Sequence, residues 1–381
     1  MGHNKKMFVT AEEQPKTLVL GIFLPHKTSW HIDDYFDEFE SLVWTAGMGG
    51  SDSFFIKLRN VDRTHFLTKG KLKELLDFCQ DKNFERIVCS VMITPLQQRN
   101  LEDVLGCRVM DRGALILEIF RKAAVTAEGK IQVEMAEIAT LKTRMAGIGR
   151  ELSQQEGRIG ARGPGESKKE YDVRYFQRLV EQAQKRLKDL KKSRDVQRKR
   201  RLESGIPLVC LVGYTNAGKS SLLNLLTKSE VLVEDKLFAT LDTTTRELFL
   251  NKDKKVLISD TVGFISQIPH HLIEAFRATL DELKYAHILL HVVDISNAAW
   301  EDQIEVVQDT LEELGIEKPI VHVFNKIDKL SKDELADLEG YCYKYSPSIF
   351  SHAKSKDGVK KLRQFLVSSD ILWRKKDNNK R

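Results

Sequence analysis

The sequence predicts an α/β protein in three parts: a small N-terminal α/β domain with a parallel sheet, a long helical hairpin, and a second α/β domain with a phosphate-binding loop (P-loop). Strand and helix patterns alternate in residues 17–127 and again in residues 204–373, which is typical of parallel sheets covered by helices. Residues 128–203 carry only helical patterns around a glycine-rich loop. A strand, a glycine-rich turn and a helix then follow one another within residues 207–226.

Composition sets the broad class of the protein. The chain has 381 residues, of which 41% are hydrophobic and 30% charged, as in ordinary globular proteins. It contains no run of eighteen apolar residues and no signal-peptide pattern, so we expect no membrane segment and no secretion. The five cysteines are scattered without a C-x-x-C pair, which favours reduced thiols and a cytoplasmic location.

The N-terminal region reads as a βαβ arrangement after an extension at residues 1–16. The predicted strands are 17–23, 54–60, 86–91 and 107–111, and the predicted helices are 71–82, 95–105 and 114–124. Because the strands are separated by helices, a small parallel sheet follows.

The middle region predicts a basic helical hairpin. Helical patterns cover residues 128–148 and about 168–202, and the intervening "GRIGARGPGES" (157–167) cannot continue either helix. Residues 168–201 hold 14 Lys or Arg against 5 Asp or Glu, so this segment supplies the whole positive excess of the chain, whose net charge is +6. Such clustering points to a polyanionic partner, and the alternative is a merely solvated helix face.

The strongest motif is "GYTNAGKS" (213–220), which follows an apolar strand and opens an apolar-faced helix. Its glycines let backbone N–H groups surround phosphates, and the helix N-terminus favours their charge. Lys219 is expected at the β- and γ-phosphates and Ser220 at Mg²⁺.

Three further segments complete a nucleotide site. Asn325 and Asp328 of "NKID" end an apolar strand, and an aspartate there can accept two hydrogen bonds from guanine but none of that pattern from adenine. Asp260 and Gly263 of "DTVG" are expected near Mg²⁺ and the γ-phosphate, and the threonine-rich loop 238–246 can complete the metal shell. Together these parts predict a P-loop GTPase domain over residues 204–373, followed by a basic tail at 374–381.

These motifs resemble one family. "GYTNAGKSSLLN", "FATLDTTTR", "DTVGFI" and "NKID", with the upstream "DRGALILEIFRKAAVTAEGKIQVEMA" (111–136) and "GARGPGESKKEYDVR" (160–174), resemble the HflX-type ribosome-associated GTPases of the Obg/HflX group. The resemblance covers roughly residues 17–373. It implies GTP, GDP and Mg²⁺ as ligands. It also implies binding to the large ribosomal subunit and its RNA, dissociation or rescue of stalled or idle ribosomes, and ribosome-stimulated hydrolysis. Separately from the resemblance, we expect a monomer without a membrane partner.

The resemblance also implies a set of site residues. Ser220, Thr240 and, through water, Asp260 would hold Mg²⁺, with Thr243 and Thr244 as alternatives to Thr240. The implied nucleotide-binding residues are Gly213, Tyr214, Thr215, Asn216, Ala217, Gly218, Lys219, Ser220, Ser221, Phe238, Thr240, Asp260, Gly263, Asn325, Lys326, Asp328, His352, Ala353 and Lys354. The implied RNA contacts are Arg158, Arg162, Gly163, Gly165, Lys168, Lys169, Arg174 and Arg178.

The chain departs from the family pattern in three places. Thr243 stands where the family has proline, which predicts a less rigid loop. His352 stands in "HAK" where the family has serine, and it either replaces that serine or faces solvent. The glycine-rich loop continues as "SKKEY" and so gains Lys168 and Lys169.

Phe264 follows "DTVG" at the position where many small GTPases carry a water-orienting glutamine. A phenyl ring cannot orient water, and Gln267 needs a different backbone path to reach the site. The catalytic residue is therefore unknown, and slow basal hydrolysis is expected, since such a group can contribute three to five orders of magnitude.

Four other functions compete with this interpretation. A ribosome-assembly or structured-RNA-binding GTPase would use the same motifs. A membrane-surface GTPase would need a continuous apolar face with Trp or Phe on the basic helix, but the segment offers such a face only Tyr175 and Phe176, near its start. A non-hydrolysing scaffold would not need the full set of phosphate and Mg²⁺ ligands. A second nucleotide on the N-terminal sheet has no glycine-rich motif to support it.

Overall fold

The computed structural model describes residues 15–24, 31–49, 52–155, 168–227, 237–238, 241, 243–269, 272 and 280–373. Within these ranges the chain forms two α/β units joined by a helical hairpin, so the predicted fold class is confirmed. No described helix combines the length and apolarity needed to cross a membrane.

The N-terminal sheet has four parallel strands in the order β2-β1-β3-β4. The strands are β1 (Thr17–Phe23), β2 (Asp52–Lys57), β3 (Arg86–Cys89) and β4 (Arg108–Met110). Strand β1 is buried along its whole length because it is central in the sheet. The second strand lies two residues earlier than predicted at its start, and only Ile56 of it is fully buried.

Four helices cover this sheet: α1 (Ile32–Thr45), α2 (Lys69–Cys79), α3 (Pro95–Leu105) and α4 (Arg112–Ala123). Helix α3 has the predicted bounds, which a Thr94–Gln97 capping box and a left-handed Gly106 define. The sequence predictions did not include α1. Its buried face does carry a helical signal in the printed sequence, with apolar residues at three- and four-residue intervals.

The hairpin consists of α5 (Ala127–Gln155) and α6 (Lys168–Glu203), which pack along each other. Ala136 of α5 and Ala183 of α6 are fully buried. Their small side chains allow the two helices to approach closely. Arg186 of α6 binds Glu134 of α5 at 2.7 Å. Both helices were predicted, and α5 continues seven residues beyond its predicted end.

The second sheet has six strands in the order β10-β9-β8-β5-β7-β6, of which only β6 is antiparallel to its neighbour. They are β5 (Leu208–Gly213), β6 (Thr244–Phe249), β7 (Lys255–Asp260), β8 (Ile288–Asp294), β9 (Ile320–Asn325) and β10 (Ser348–Phe350). The flanking α-helices are α7 (Lys219–Thr227), α8 (Trp300–Glu313), α9 (Lys332–Tyr341), α10 (Lys360–Ser368) and α11 (Asp370–Trp373).

The parallel strands bring the predicted motifs to one edge. Strands β5, β7 and β9 end at Gly213, Asp260 and Asn325, and carboxyl ends of parallel strands share the same side of a sheet.

The N-terminal domain contacts the second domain beside this edge. The ring of Phe120 meets that of Phe238 edge-on at 4.7 Å, and the backbone N–H of Leu237 donates to Thr45 Oγ1 at 3.2 Å. One continuous apolar cluster includes α1, α4 and residues 262–265. The two domains therefore share a core next to the predicted nucleotide site.

Candidate nucleotide-binding site

Two glycines of the phosphate loop are required by close approaches. Gly213 has φ = 151°, and a Cβ there would lie 2.2 Å from the carbonyl oxygen of Val292. Gly218 has φ = 94°, and a Cβ there would lie 2.3 Å from Asn325 Nδ2. Only glycine suits both positions. The loop leads directly into α7, and the N-terminal N–H groups of a helix favour anions.

Lys219 lies at the start of α7 with its ammonium group turned back into the loop. Its Nζ donates to the carbonyl oxygens of Gly213 at 3.0 Å and Tyr214 at 2.7 Å. Burial lowers the pKa of Lys219 to about 8, although the charge of Asp260 opposes this shift. The group is therefore a poorly solvated cation held where the loop can surround phosphates.

Ser220 and Asp260 form the predicted metal side of the site. Ser220 Oγ donates to Asp260 Oδ2 at 2.5 Å, and Asp260 Oδ1 accepts from the N–H of Thr261 at 3.0 Å. Hydroxyl and carboxylate oxygens are the ligands that Mg²⁺ prefers. No cluster of three or more His, Cys, Asp or Glu within the described ranges could hold a metal. The arrangement fits an ion that is held by one or two protein oxygens together with substrate phosphates.

The predicted base-reading residues lie at the end of β9. Asn325 Nδ2 donates to the carbonyl oxygen of Ala217 at 2.8 Å, which ties this strand to the phosphate loop. Its Oδ1 is buried without a hydrogen-bond partner among the described residues. Lys326 adopts a left-handed conformation (φ = 63°) and binds Asp294 at 2.7 Å.

Asp328 and Lys354 pair at 2.7 Å across the base side of the site. Burial alone would raise the pKa of Asp328, but the hydrogen bond from Lys354, a backbone hydrogen bond and the charge of Lys354 together outweigh it, so the pKa is lowered. The carboxylate is thus held ionised, as a guanine acceptor requires.

His352 and Ala353, which were predicted to lie behind the guanine base, directly precede Lys354. His352 is half-buried with its Nδ1 buried and unpaired within the described ranges, so it does not simply face solvent. Ala353 packs against the apolar cluster behind the sheet.

The segment 260–269, which we call the second switch, packs closely on the phosphate loop. The N–H of Thr215 donates to the carbonyl oxygen of Phe264 at 2.7 Å. The N–H of Phe264 donates to the carbonyl oxygen of Gly213 at 3.1 Å. A Cβ on Gly263 would lie 2.8 Å from Thr215 Cγ2 and 3.1 Å from Lys219 Nζ. Gly263 is therefore beside the lysine, where the sequence predicted a γ-phosphate contact.

Phe264 presents no polar group to the site, because its ring is 2% exposed within the shared apolar cluster. Gln267 has φ = 53° and lines a cavity of the N-terminal domain with Tyr35 and Met92. Gln267 therefore points away from the phosphate loop. With the backbone path seen here, its side chain does not reach the hydrolytic site.

The segment 234–246, which we call the first switch, lies only partly within the described residues. Thr240 lies outside the described residues, while Thr244 begins β6 opposite Asp260. Phe238 was expected at the nucleotide, but its ring packs against Phe120 and is 2% exposed. Because an apolar ring gains more from the shared core than from a polar site, Phe238 serves the domain contact in this arrangement.

The expected RNA contacts fall on the hairpin. Arg158, Arg162, Gly163 and Gly165 lie outside the described residues. Lys168 and Lys169 begin α6, and the side chains of Arg174 and Arg178 are exposed on it.

Sequence reasoning missed the side chains that join the N-terminal domain to the nucleotide site. Glu38 of α1 and Arg112 of α4 form an ion pair at 2.6 Å that is buried against Tyr214 and Ser266. Glu38 lies 74 residues from Arg112 and 228 residues from Ser266 in the chain, so no local motif predicts these contacts.

Comparisons with known proteins agree with this geometry. Three family models match: "GTP-binding GTPase N-terminal" over residues 33–121, "GTP-binding GTPase Middle Region" over 123–201, and "50S ribosome-binding GTPase" over 208–326. The solved structure of SsGBP in complex with GDP has a TM-score of 0.50 at 26% identity and covers 92% of this chain and 97% of that chain.

Curated relatives named GTPase HflX extend over most of the chain. The protein of Lacrimispora saccharolytica is 49% identical, and the match covers 77% of this chain and 69% of the relative. Those of Caldanaerobacter subterraneus and Escherichia coli are 44% and 41% identical, and each match covers 78% of this chain and 70% of the relative. The protein thus binds GTP and GDP and hydrolyses GTP, and the chain belongs to the HflX family of GTPases.

Proposed function

We propose that this GTPase binds the large ribosomal subunit in its GTP form and dissociates or rescues stalled or idle ribosomes. Ribosomal contact then completes the hydrolytic site, and GDP formation loosens the two switch segments 234–246 and 260–269. The protein acts as a monomer, and residues 157–201 supply the main contact with ribosomal RNA.

The exposed basic face of α6 carries this proposal. Arg174, Arg178, Lys185 and Lys188 are all exposed along this helix, while Ala183 on the opposite face is buried against α5. A rigid row of cations suits the dense phosphates of structured RNA, which proteins bind mainly through backbone charge. The family model matched by residues 208–326 is described as a 50S ribosome-binding GTPase, which supports the same partner.

The phosphate end of the site is proposed to work through five residues. Lys219 holds the β- and γ-phosphates, and Ser220 binds Mg²⁺ together with Asp260 through water and Thr240 of the first switch. When bound, the ion neutralises charge that develops on the phosphate oxygens. Gly263 donates its N–H toward the γ-phosphate.

The guanine end is proposed to depend on two residues of β9 and its following loop. Asp328 accepts hydrogen bonds from guanine and Asn325 holds the loop in register. Lys354, which pairs with Asp328, and His352 with its unpaired Nδ1 back the base.

Slow intrinsic hydrolysis follows from the buried ring of Phe264 and the distant Gln267. Neither side chain can orient an attacking water, so a group from the partner is needed at the site. A contribution of three to five orders of magnitude is typical of such groups.

Ribosome dissociation tests the proposal directly. We would add the protein with a non-hydrolysable GTP analogue to intact ribosomes and follow subunit separation by light scattering and gradient sedimentation. The wild-type protein is expected to release subunits, and Arg174→Glu/Arg178→Glu is expected to lose this activity while it binds GDP normally. The charge-matched control Lys332→Glu/Lys360→Glu alters exposed lysines of α9 and α10. Equal behaviour of the two double variants would contradict the assigned contact.

A further inference from the structure

Four buried polar side chains meet where the N-terminal domain contacts the nucleotide site. They are Glu38 of α1, Arg112 of α4, Tyr214 of the phosphate loop and Ser266 of the second switch. The side chains of Glu38 and Arg112 are 7% and 0% exposed. Buried polar groups need hydrogen-bond partners. Glu38, Tyr214, Ser266 and Nη2 of Arg112 find them within this cluster, whereas Nε and Nη1 of Arg112 have none among the described residues.

The carboxylate of Glu38 is the centre of the cluster. Its Oε1 accepts from Arg112 Nη2 at 2.6 Å and from Ser266 Oγ at 2.9 Å. Its Oε2 accepts from the hydroxyl of Tyr214. Hydrogen bonds to an ionised carboxylate are stronger than neutral ones, so one N-terminal residue fixes two residues of the GTPase domain.

Ser266 is held through its backbone as well. Its N–H donates to the Tyr214 hydroxyl at 2.7 Å, and its carbonyl oxygen accepts from Arg112 Nη2 at 3.1 Å. The Tyr214 hydroxyl thus accepts from the second switch while it donates to the N-terminal domain. Burial, followed by the charge of Glu38, raises the pKa of Tyr214 well above its usual value, so the proton needed for this donation is retained.

Tyr214 is also part of the phosphate loop itself. Its carbonyl oxygen accepts from Lys219 Nζ at 2.7 Å, and the adjacent Thr215 N–H binds the carbonyl oxygen of Phe264 at 2.7 Å. Both flanks of Gly263 and Phe264 are therefore held. Asp260 pairs with Leu211 of β5, the strand that leads into the loop, and Ser266 binds the Tyr214 hydroxyl of the loop itself.

We propose that Tyr214 is a positioning residue for GTP hydrolysis and that Glu38 of the N-terminal domain holds it in place. The hydroxyl of Tyr214 keeps the segment 264–266 against the phosphate loop, and this placement sets Gly263 beside Lys219. The N-terminal domain thereby controls the hydrolytic geometry through one carboxylate. This role is independent of the ribosome, and it rests on the GTPase activity of the chain.

Tyr214→Phe tests the proposal because it keeps the ring and removes only the hydroxyl. In single-turnover hydrolysis without ribosomes, we expect the rate constant to fall about tenfold, equivalent to about 1.4 kcal/mol in the barrier. The affinities for GTP and GDP should stay within about twofold, since the lost contact is made by the second switch. The rate is expressed per active site, counted by stoichiometric GDP binding, so that partial unfolding does not lower it.

Tyr35→Phe is the matched control. The Tyr35 hydroxyl is also buried, but it donates to the carbonyl oxygen of Ser90 at 3.0 Å within the N-terminal domain. We expect this variant to hydrolyse GTP at the wild-type rate, even if its melting temperature falls. Equal rate losses in the two variants would overturn the proposal, because they would reflect general destabilisation.

Glu38→Gln examines the link between the domains. We expect it to lower the rate constant as Tyr214→Phe does. The double variant should show no further loss, since both changes break the same hydrogen-bonded link between Glu38 and Tyr214. Rate losses that multiply in the double variant would overturn the link. If Glu38→Gln fails to fold because Arg112 is left unpaired, Tyr214→Phe against Tyr35→Phe decides the proposal alone. An unchanged or increased rate in Tyr214→Phe would overturn it.

Discussion

Lys219 illustrates how a single residue combines fold and chemistry. The residue is 6% exposed, and its ammonium group donates to two loop carbonyl groups, which satisfies two of its three donors without neutralising its charge. Burial therefore lowers its pKa to about 8, and a bound polyphosphate would restore the charged form. Nucleotide binding should consequently be coupled to protonation of this residue.

GDP affinity is expected to depend on pH through Lys219. The free protein loses the Lys219 proton as the pH rises through about 8, and binding must then recover it. From pH 7 to 8.5 we expect affinity to fall about fourfold. Calorimetry in two buffers with different ionisation enthalpies would measure proton uptake at pH 8.5. Constant affinity without proton uptake would contradict the assigned pKa.

Residues of the site differ in how far sequence could predict them. Lys219, Ser220 and Asp260 lie in short motifs that determine their own local structure, so their positions followed from spacing. Glu38 was not predictable, since its contacts with Tyr214 and Ser266 depend on how two domains dock. Phe238 was assigned to the nucleotide by resemblance, whereas its ring packs in the shared core.

Secondary-structure elements were predicted best where their ends carry strong signals. Helix α3 has the predicted bounds because a capping box starts it and a left-handed glycine ends it. Helix α1 was missed, although Asp33 and Asp34 occupy its first turn and its apolar spacing is helical. Strand β2 began earlier than predicted because its side chains are mostly exposed and carry little pattern.

The central strands β8 and β9 carry a buried histidine pair behind the site. His291 and His322 lie with ring centroids 5.3 Å apart, and His291 is 1% exposed. Burial, with smaller contributions from His322 and Lys219, lowers the pKa of His291 to about 3. His291 is therefore neutral in the folded sheet, while the unfolded chain takes up a proton below about pH 6.5.

Acid should destabilise this sheet through His291. A lowered folded-state pKa gives stability that is present above pH 6.5 and lost as the pH falls toward 3. Between pH 8 and pH 5 we expect His291→Leu to lose about 2 kcal/mol less unfolding free energy than the wild-type protein. Urea unfolding followed by circular dichroism provides the measurement. Identical pH dependence of the two proteins would exclude a buried neutral histidine.

At the scale of the whole molecule, the N-terminal domain and the GTPase domain share one apolar core beside the nucleotide. The hairpin extends from the same N-terminal unit and carries the exposed basic face of α6. Helix α4 contacts α5 of the hairpin and, through Arg112, pairs with Glu38 beside the second switch. The fold class was predictable because each domain has its own periodic pattern, but this docking was not.

We propose that the ribosome completes a hydrolytic site that the protein alone leaves without a water-orienting side chain. The most direct measurement is GTP turnover by the pure protein, alone and with purified large ribosomal subunits. We expect barely detectable turnover alone and an increase of at least about tenfold with the subunits, given the contribution typical of a supplied catalytic group. Fast turnover by the protein alone that large subunits leave unchanged would contradict both the role assigned to Phe264 and the proposed partner.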